Sequence, residues 1–164
     1  MKTLLIALAL AAGLAHAAPA SAVGRLLDLS VYDRDTGRSL PVYQHHGRYY
    51  VAGEPGHRYR IALRSRSGED LLAVLSVDGV NAISGETAGS SQAGYVLDPY
   101  QSVDIRGWRK SYSDVAEFYF TDLPDSYAAR TGRPQNVGVI GVAAFREKRP
   151  PPIAYAPPPP PTPY

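Results

Sequence analysis

Cysteine is absent from this 164-residue chain, which rules out a disulfide framework, a thiolate metal site and a cysteine nucleophile. Stability must therefore come from packing. The missing Cys also argues against the lipid anchor that bacterial lipoproteins carry at their cleavage point. Charge is scarce: 17 basic residues against 15 acidic ones give a formal net charge of +2, too small for a general polyanion binder, so no nucleic-acid partner is expected. Long apolar runs are scarce too. Leu4 to Leu14 is too short to cross a hydrocarbon core that needs about 20 residues of helix, and no second candidate follows, so no membrane span is expected. Catalytic signatures are missing as well. There is no G-x-S-x-G elbow, H-E-x-x-H, Walker loop or dinucleotide G-x-G-x-x-G, and Gly138-Val139-Ile140-Gly141 sits in an expected strand with no helix after it. No catalytic residue, no metal site and no cofactor is assigned.

What the chain does have begins with its address. Met1-Lys2, the apolar stretch to Leu14 and the small residues of Ala15-His16-Ala17 have the layout of a secretory signal peptide cut near Ala17. A periplasmic or secreted protein is expected, with a single domain over residues 24–148. Charge is unevenly spread along that domain. Residues 24–66 hold eight Arg against Asp28, Asp33, Asp35 and Glu54, whereas residues 67–128 hold ten acids against Arg106, Arg109 and Lys110. Neighbouring strands that exchange these charges across a solvated face would account for the pattern.

Apolar alternation at period two recurs from Leu26 to Phe145 between clusters of Gly, Asp and Pro. Long amphipathic helices and a βαβ rhythm are both missing. The expected fold is therefore all-β: a β-sandwich or jelly roll of about 7–9 mostly antiparallel strands, with a partly open barrel as the alternative. In the strand His57–Ser65, Tyr59, Ile61 and Leu63 share the inner face and Arg58, Arg60 and Arg64 the outer. Leu71–Val77 is apolar on both faces apart from Ser76 and should lie centrally or beneath a loop. Asp78-Gly79 predicts a type I′ hairpin that faces Val77 with Val80. Asp98-Pro99-Tyr100-Gln101 predicts another hairpin, between Gly94–Leu97 and Ser102–Arg106. Ala116, Phe118 and Phe120 should enter the core, and Gly138 and Gly141 mark a bulge or close approach in the last strand, Val137–Phe145. One short helix is expected near 124–131, with Tyr127 and Ala128 inward. After Glu147 the composition turns to proline, and residues 149–164 are expected to form a disordered or polyproline II tail.

Several clusters invite a chemical reading. Asp33-Arg34-Asp35-Thr36-Gly37 opens like a calcium loop, but Gly37 and Gln44 stand where further oxygen ligands are needed, so a tight turn is expected. His45 and His46 point to opposite faces of a strand, and His46-Gly47 reads as a turn. Glu117 with Asp114, or Glu86 with Asp104, are the carboxylate pairs a glycosidase would need. Candidate binding residues are Arg58, Arg60 and Arg64, a cationic row suited to phosphate or carboxylate polymers, together with Trp108 and Arg109. The single Trp either stacks on a ligand or closes one end of the sandwich under a neighbouring cation.

The segments Tyr59-Arg60-Ile61, Ser76-Val77-Asp78-Gly79-Val80-Asn81, Gly85-Glu86-Thr87-Ala88, Gly94-Tyr95-Val96-Leu97-Asp98-Pro99, Gly107-Trp108-Arg109-Lys110-Ser111, Ser126-Tyr127-Ala128-Ala129-Arg130-Thr131-Gly132 and Asn136-Val137-Gly138-Val139-Ile140-Gly141 give the chain a resemblance to a family of exported bacterial proteins of unknown function. The resemblance covers roughly residues 57–147 and implies one compact exported domain, with no activity attached. The functional expectation is a non-catalytic binding or scaffolding protein of the bacterial envelope, whose twelve Tyr suit recognition of an envelope protein or a glycan. A carbohydrate-binding module and a hydrolase of envelope polymers are the alternatives.

Overall fold

The computed structural model describes residues 22–111 and 113–148; the expected leader 1–17 and proline-rich tail 149–164 lie outside them. Among the described residues the strands are β1 (Ala22–Val23), β2 (Leu27–Asp33), β3 (Val42–His45), β4 (Arg48–Val51), β5 (Arg58–Ser65), β6 (Leu71–Val77), β7 (Val80–Asn81), β8 (Tyr95–Leu97), β9 (Ser102–Ile105), β10 (Gly107–Arg109), β11 (Val115–Tyr119) and β12 (Ile140–Arg146). Eight of them are four residues or longer, within the expected seven to nine, and the rest are short edge pieces.

Two antiparallel sheets face each other. The first is centred on β5, which pairs with β2 along one edge from Leu27↔Ser65 to Asp33↔Tyr59. Its other edge is divided between β9, opposite Ile61–Arg64, and β11, opposite Arg58–Tyr59. β10 flanks β11 and β1 flanks β2. The second sheet is centred on β6. β12 covers one edge over its full length, while β7 and β8 divide the other. β6 is thus central, as its apolar composition predicts, and the residues around Ala88–Ser90 lie beside Val74 and Ser76 on its outer face.

The alternation of side chains explains the layering. Tyr59, Ile61 and Leu63 of β5 point inward and meet Ala73, Leu75 and Val77 of β6, with Val80, Leu97, Ile105 and Phe118 filling the remainder. Each fully buried side chain of this size contributes roughly 1.5–3 kcal/mol relative to exposure. An aromatic stack, Phe118–Tyr59–Phe120, has centroid separations of 5.2 and 4.3 Å, and Trp108 meets Phe118 edge-on at 4.7 Å. The expected core residues of β11 are therefore in place.

The turn between β6 and β7 has Asp78 at φ 55° and Gly79 at φ 70°, as a type I′ hairpin needs, and Val77 faces Val80. Asp98-Pro99-Tyr100-Gln101 does form a turn, with the Gln101 amide donating to the Asp98 carbonyl at 3.1 Å. The expected hairpin does not follow. β8 joins β6 while β9 joins β5, so this turn is a corner between the sheets. Leu97 and Ile105 are both buried, and opposite walls of the core provide that burial better than one ribbon would. The helical segment is a 3₁₀ turn at Leu123–Asp125 followed by α1 (Tyr127–Arg130), whose Ser126 hydroxyl caps the Ala129 amide. Ala128 is fully buried, but Tyr127 faces outward and leans on Trp108 at 5.1 Å. Gly138 belongs to a turn rather than a strand, and at Gly141 a Cβ would press on Ser76 Oγ at 3.0 Å, the close approach expected there.

The two long edges of the sandwich differ. On the β10 side the Arg109 amide donates to the Ala82 carbonyl at 2.8 Å and stitches one sheet to the other. On the opposite side, β2 and β12 are not hydrogen-bonded to each other, and the β3–β4 hairpin lies beside the gap.

Candidate functional site

The arginine row is largely neutralised. Arg58 donates to Asp35 through Nε at 2.9 Å and Nη2 at 2.5 Å, and Asp35 also accepts the Arg58 backbone amide. Arg60 is ion-paired with Asp104, and its guanidinium lies 3.8 Å above the Tyr32 ring. Arg34 pairs with Glu117 at 2.5 Å and Arg66 with Asp28 at 3.6 Å. Arg64 is exposed, opposite Asp28 and Ser102 in the register. Two of these pairs, Arg34–Glu117 and Arg60–Asp104, join the basic segment 24–66 to the acidic segment 67–128, and the other two are internal to the basic one. Such pairs are individually worth little, about 0–1 kcal/mol, but they give Arg58 and Arg60 each a carboxylate partner within the protein.

Trp108 is 8% exposed, its ring held between Phe118 and Tyr127, so it closes one end of the core instead of presenting a stacking platform. No cation lies over it among the described residues; the cation–π contact belongs to Arg60 and Tyr32. Its Nε1 is buried without a hydrogen-bond partner. Arg109 is exposed, and its backbone makes the stitch to Ala82.

Asp33, Asp35 and His57 bring three ligand atoms within 4.8 Å of one another. Protein donors already occupy them. Asp33 Oδ1 accepts the amides of Asp35 at 2.8 Å and Thr36 at 2.9 Å, while Oδ2 is 2.7 Å from His57 Nδ1. This is the tight turn expected at Asp33–Gly37, closed by a histidine. The His57 hydrogen bond, helped by the Thr36 amide, lowers the Asp33 carboxyl to about 2, and the same bond to Asp33 raises His57. Arg58 holds Asp35 below its ordinary value through its side-chain and backbone hydrogen bonds. A guanidinium seated on one of three ligands disfavours a metal ion. The other carboxylates named as pairs are separately engaged: Glu117 with Arg34 and the Tyr119 hydroxyl, Asp104 with Arg60, Asp114 with Ser111, and Glu86 with Gln92. His46, at φ 47°, and Gly47 form the turn between β3 and β4.

A concavity lies on the open edge. A cleft of about 930 Å³ is bounded by the start and inner face of β2, by β4 with Val42 of β3, and by β12 with the turn before it. Leu27, Leu29 and Val31 form one wall and Ile140, Val142 and Ala144 the other, with Val42 and Val51 beside them. The walls follow from pleating: alternate residues of β2 and β12 face the interior, and with no strand bridging this edge Leu29, Ile140, Val142 and Ala144 stay only half-buried while Leu27 and Val31 are covered. The volume falls in the range of roughly 300–1,000 Å³ typical of ligand clefts, and the lining is apolar like theirs. None of the five residues singled out from sequence lines it. The alternation in Leu27–Val31 and Ile140–Ala144 was visible, but nothing in either segment says that they meet across a gap.

On the hairpin, Tyr43 and Tyr50 are register partners and so share a face, 57% and 48% exposed, while Tyr49 on the other face is 51% exposed. No helix of the described residues is long and apolar enough to cross a membrane. No protein-family model, curated protein or solved structure matches this chain.

Proposed function

We propose that this chain is an exported, non-catalytic binding protein of the bacterial envelope, and that it takes an apolar or amphiphilic ligand into the cleft between β2, the β3–β4 hairpin and β12. The observation that carries the reading is the cleft itself, a volume of about 930 Å³ walled by Leu, Val, Ile and Ala side chains on the one edge where the sandwich is not stitched. The engaged carboxylates support binding over hydrolysis, since a glycosidase needs two that face one substrate. The layout of residues 1–17 supports export.

A neutral naphthylamine dye that brightens in apolar surroundings provides the test. The purified chain binds it saturably at one site, and Ala144→Trp, which fills the cleft from β12, abolishes the signal with the circular dichroism spectrum intact. Dye binding that Ala144→Trp and Leu29→Trp both leave unchanged would refute the reading. Glycan recognition by Tyr43 and Tyr50 is a second reading, favoured by their pairing on one exposed face. It predicts that a soluble envelope oligosaccharide is lost as a ligand on Tyr43→Ala, which lies outside the cleft lining, while the dye is unaffected.

A further inference from the structure

The cleft has a polarity that the apolar walls alone do not explain. Of its described lining residues, two are charged, Arg25 and Arg48, both are cations, and no Asp or Glu is among them. Outside the cleft, Arg34, Arg58, Arg60 and Arg66 each have a carboxylate within 4 Å, while the other described arginines are without one, so the distinguishing feature of the cleft is that its charged lining is of one sign. Arg25 and Arg48 have no carboxylate partner among the described residues, and both are exposed. Arg25 lies two residues before β2 and Arg48 opens β4 after the hairpin turn; both border the cleft and are exposed, and the β2 and β12 side chains that wall it are apolar. An apolar trough with unmatched guanidinium groups at its rim is complementary to a molecule with a hydrocarbon body and a negative end. Guanidinium binds carboxylate, sulfate and phosphate oxygens through paired N–H donors, so the head could be any of these.

We propose that the ligand of this cleft is a single-chain amphiphile with an anionic head, its hydrocarbon lying along β2 and β12 and its head held by Arg25 and Arg48. This rests on the cleft being the binding site, as proposed above. The alternative occupants are the chain's own residues 149–164 and a second copy of the domain; the rim charge favours neither, since the tail's charged side chain is Arg149 and a second copy would oppose cation to cation.

The experiment displaces the neutral dye from the purified full chain with three dodecyl compounds below their micellar concentrations: dodecyl sulfate, dodecyltrimethylammonium and dodecyl maltoside. Dodecyl sulfate displaces dye at the lowest concentration, and added salt narrows its lead. Arg25→Gln with Arg48→Gln weakens dodecyl sulfate by about tenfold and leaves the maltoside within about twofold, as expected for two solvent-exposed charge contacts. Arg25→Glu with Arg48→Glu reverses the order of the sulfate and the ammonium. Laurate and dodecyl phosphate, run alongside, separate a carboxylate head from a phosphate.

Equal displacement by all three compounds, with Ala144→Trp still abolishing dye binding, would overturn the anionic head and leave the cleft reading standing. Dye binding indifferent to both Ala144→Trp and Leu29→Trp would overturn both. Displacement that appears only after residues 149–164 are removed would make the tail the occupant, and a dimer that dissociates as dye binds would make it a second copy; either result overturns the proposal.

Discussion

Single residues decide how this domain responds to pH, and the contact between Asp33 and His57 is the clearest case. In the folded chain His57 lies above its ordinary value of 6.5, so its contribution is complete below that pH and is lost as pH rises through the raised folded value. Asp33 lies below its ordinary value of 3.8, so its contribution is present above that pH and is lost as pH falls toward about 2. The two windows overlap between 3.8 and 6.5. Melting temperatures of the parent and of His57→Gln should therefore differ most near about pH 5 and converge toward both about pH 2 and about pH 9. A gap constant with pH would show that His57 acts there only as a neutral hydrogen-bond partner. Part of this site could be read directly from sequence: Asp33-Arg34-Asp35-Thr36-Gly37 is a turn because Asp33 can bond its own backbone two and three residues on. That His57, 24 residues away, completes it depends on the register of β2 with β5, which no local pattern encodes.

Among the elements, β6 is flanked on both edges and has four fully buried or nearly fully buried residues on its inner face, whereas β3 and β4 pair only with each other and present mostly exposed side chains. A two-stranded ribbon has little stability of its own in water. Hydrogen exchange should accordingly find the amides of Leu72–Val77 the slowest in the domain and those of Gln44–Tyr50 among the fastest. Fast exchange across β6 would contradict its central placement. Fast exchange there would bear on ligand entry, since Val42, Tyr49 and Val51 form one side of the cleft. Elements were more legible than their partners. Arg58–Ser65 and Leu71–Val77 stand almost where their side-chain periods place them, because alternation is a local consequence of pleating. The Asp98–Gln101 turn was equally visible, yet its two strands go to different sheets. A turn sequence fixes φ angles and not the identity of the neighbouring strand.

At the scale of the whole molecule, both sheets depend on one core. Phe118 of the first sheet is fully buried, stacked on Tyr59 and edge-on to Trp108, and belongs to the same cluster as Leu75 and Val77 of the second. Phe118→Ala should cost about 3–5 kcal/mol, measured by urea unfolding. The emission of Trp108, the chain's single tryptophan, and the β-sheet circular dichroism signal should then be lost at one midpoint, since neither sheet retains a core without the other. Two separated transitions would mean that the sheets fold independently. The cleft is also a property of this scale. Its residues come from segments near 24–31, 42–51 and 138–144, and only the assembled sandwich leaves them facing one another.

The order in which the strands are synthesised has a consequence of its own. β6 is made early, but β12, which covers one entire edge of it, is the last of the described strands to be made, more than sixty residues later. Until residue 146 leaves the ribosome, the most apolar strand of the protein has a bare side and the second wall of the cleft does not exist. Closing so distant a contact is slow compared with forming a local hairpin. A nascent chain of this design therefore stays open until residue 146 has been made, with β6 protected on one edge only. Shortening the chain by its last strand should yield a sticky fragment and not a smaller domain.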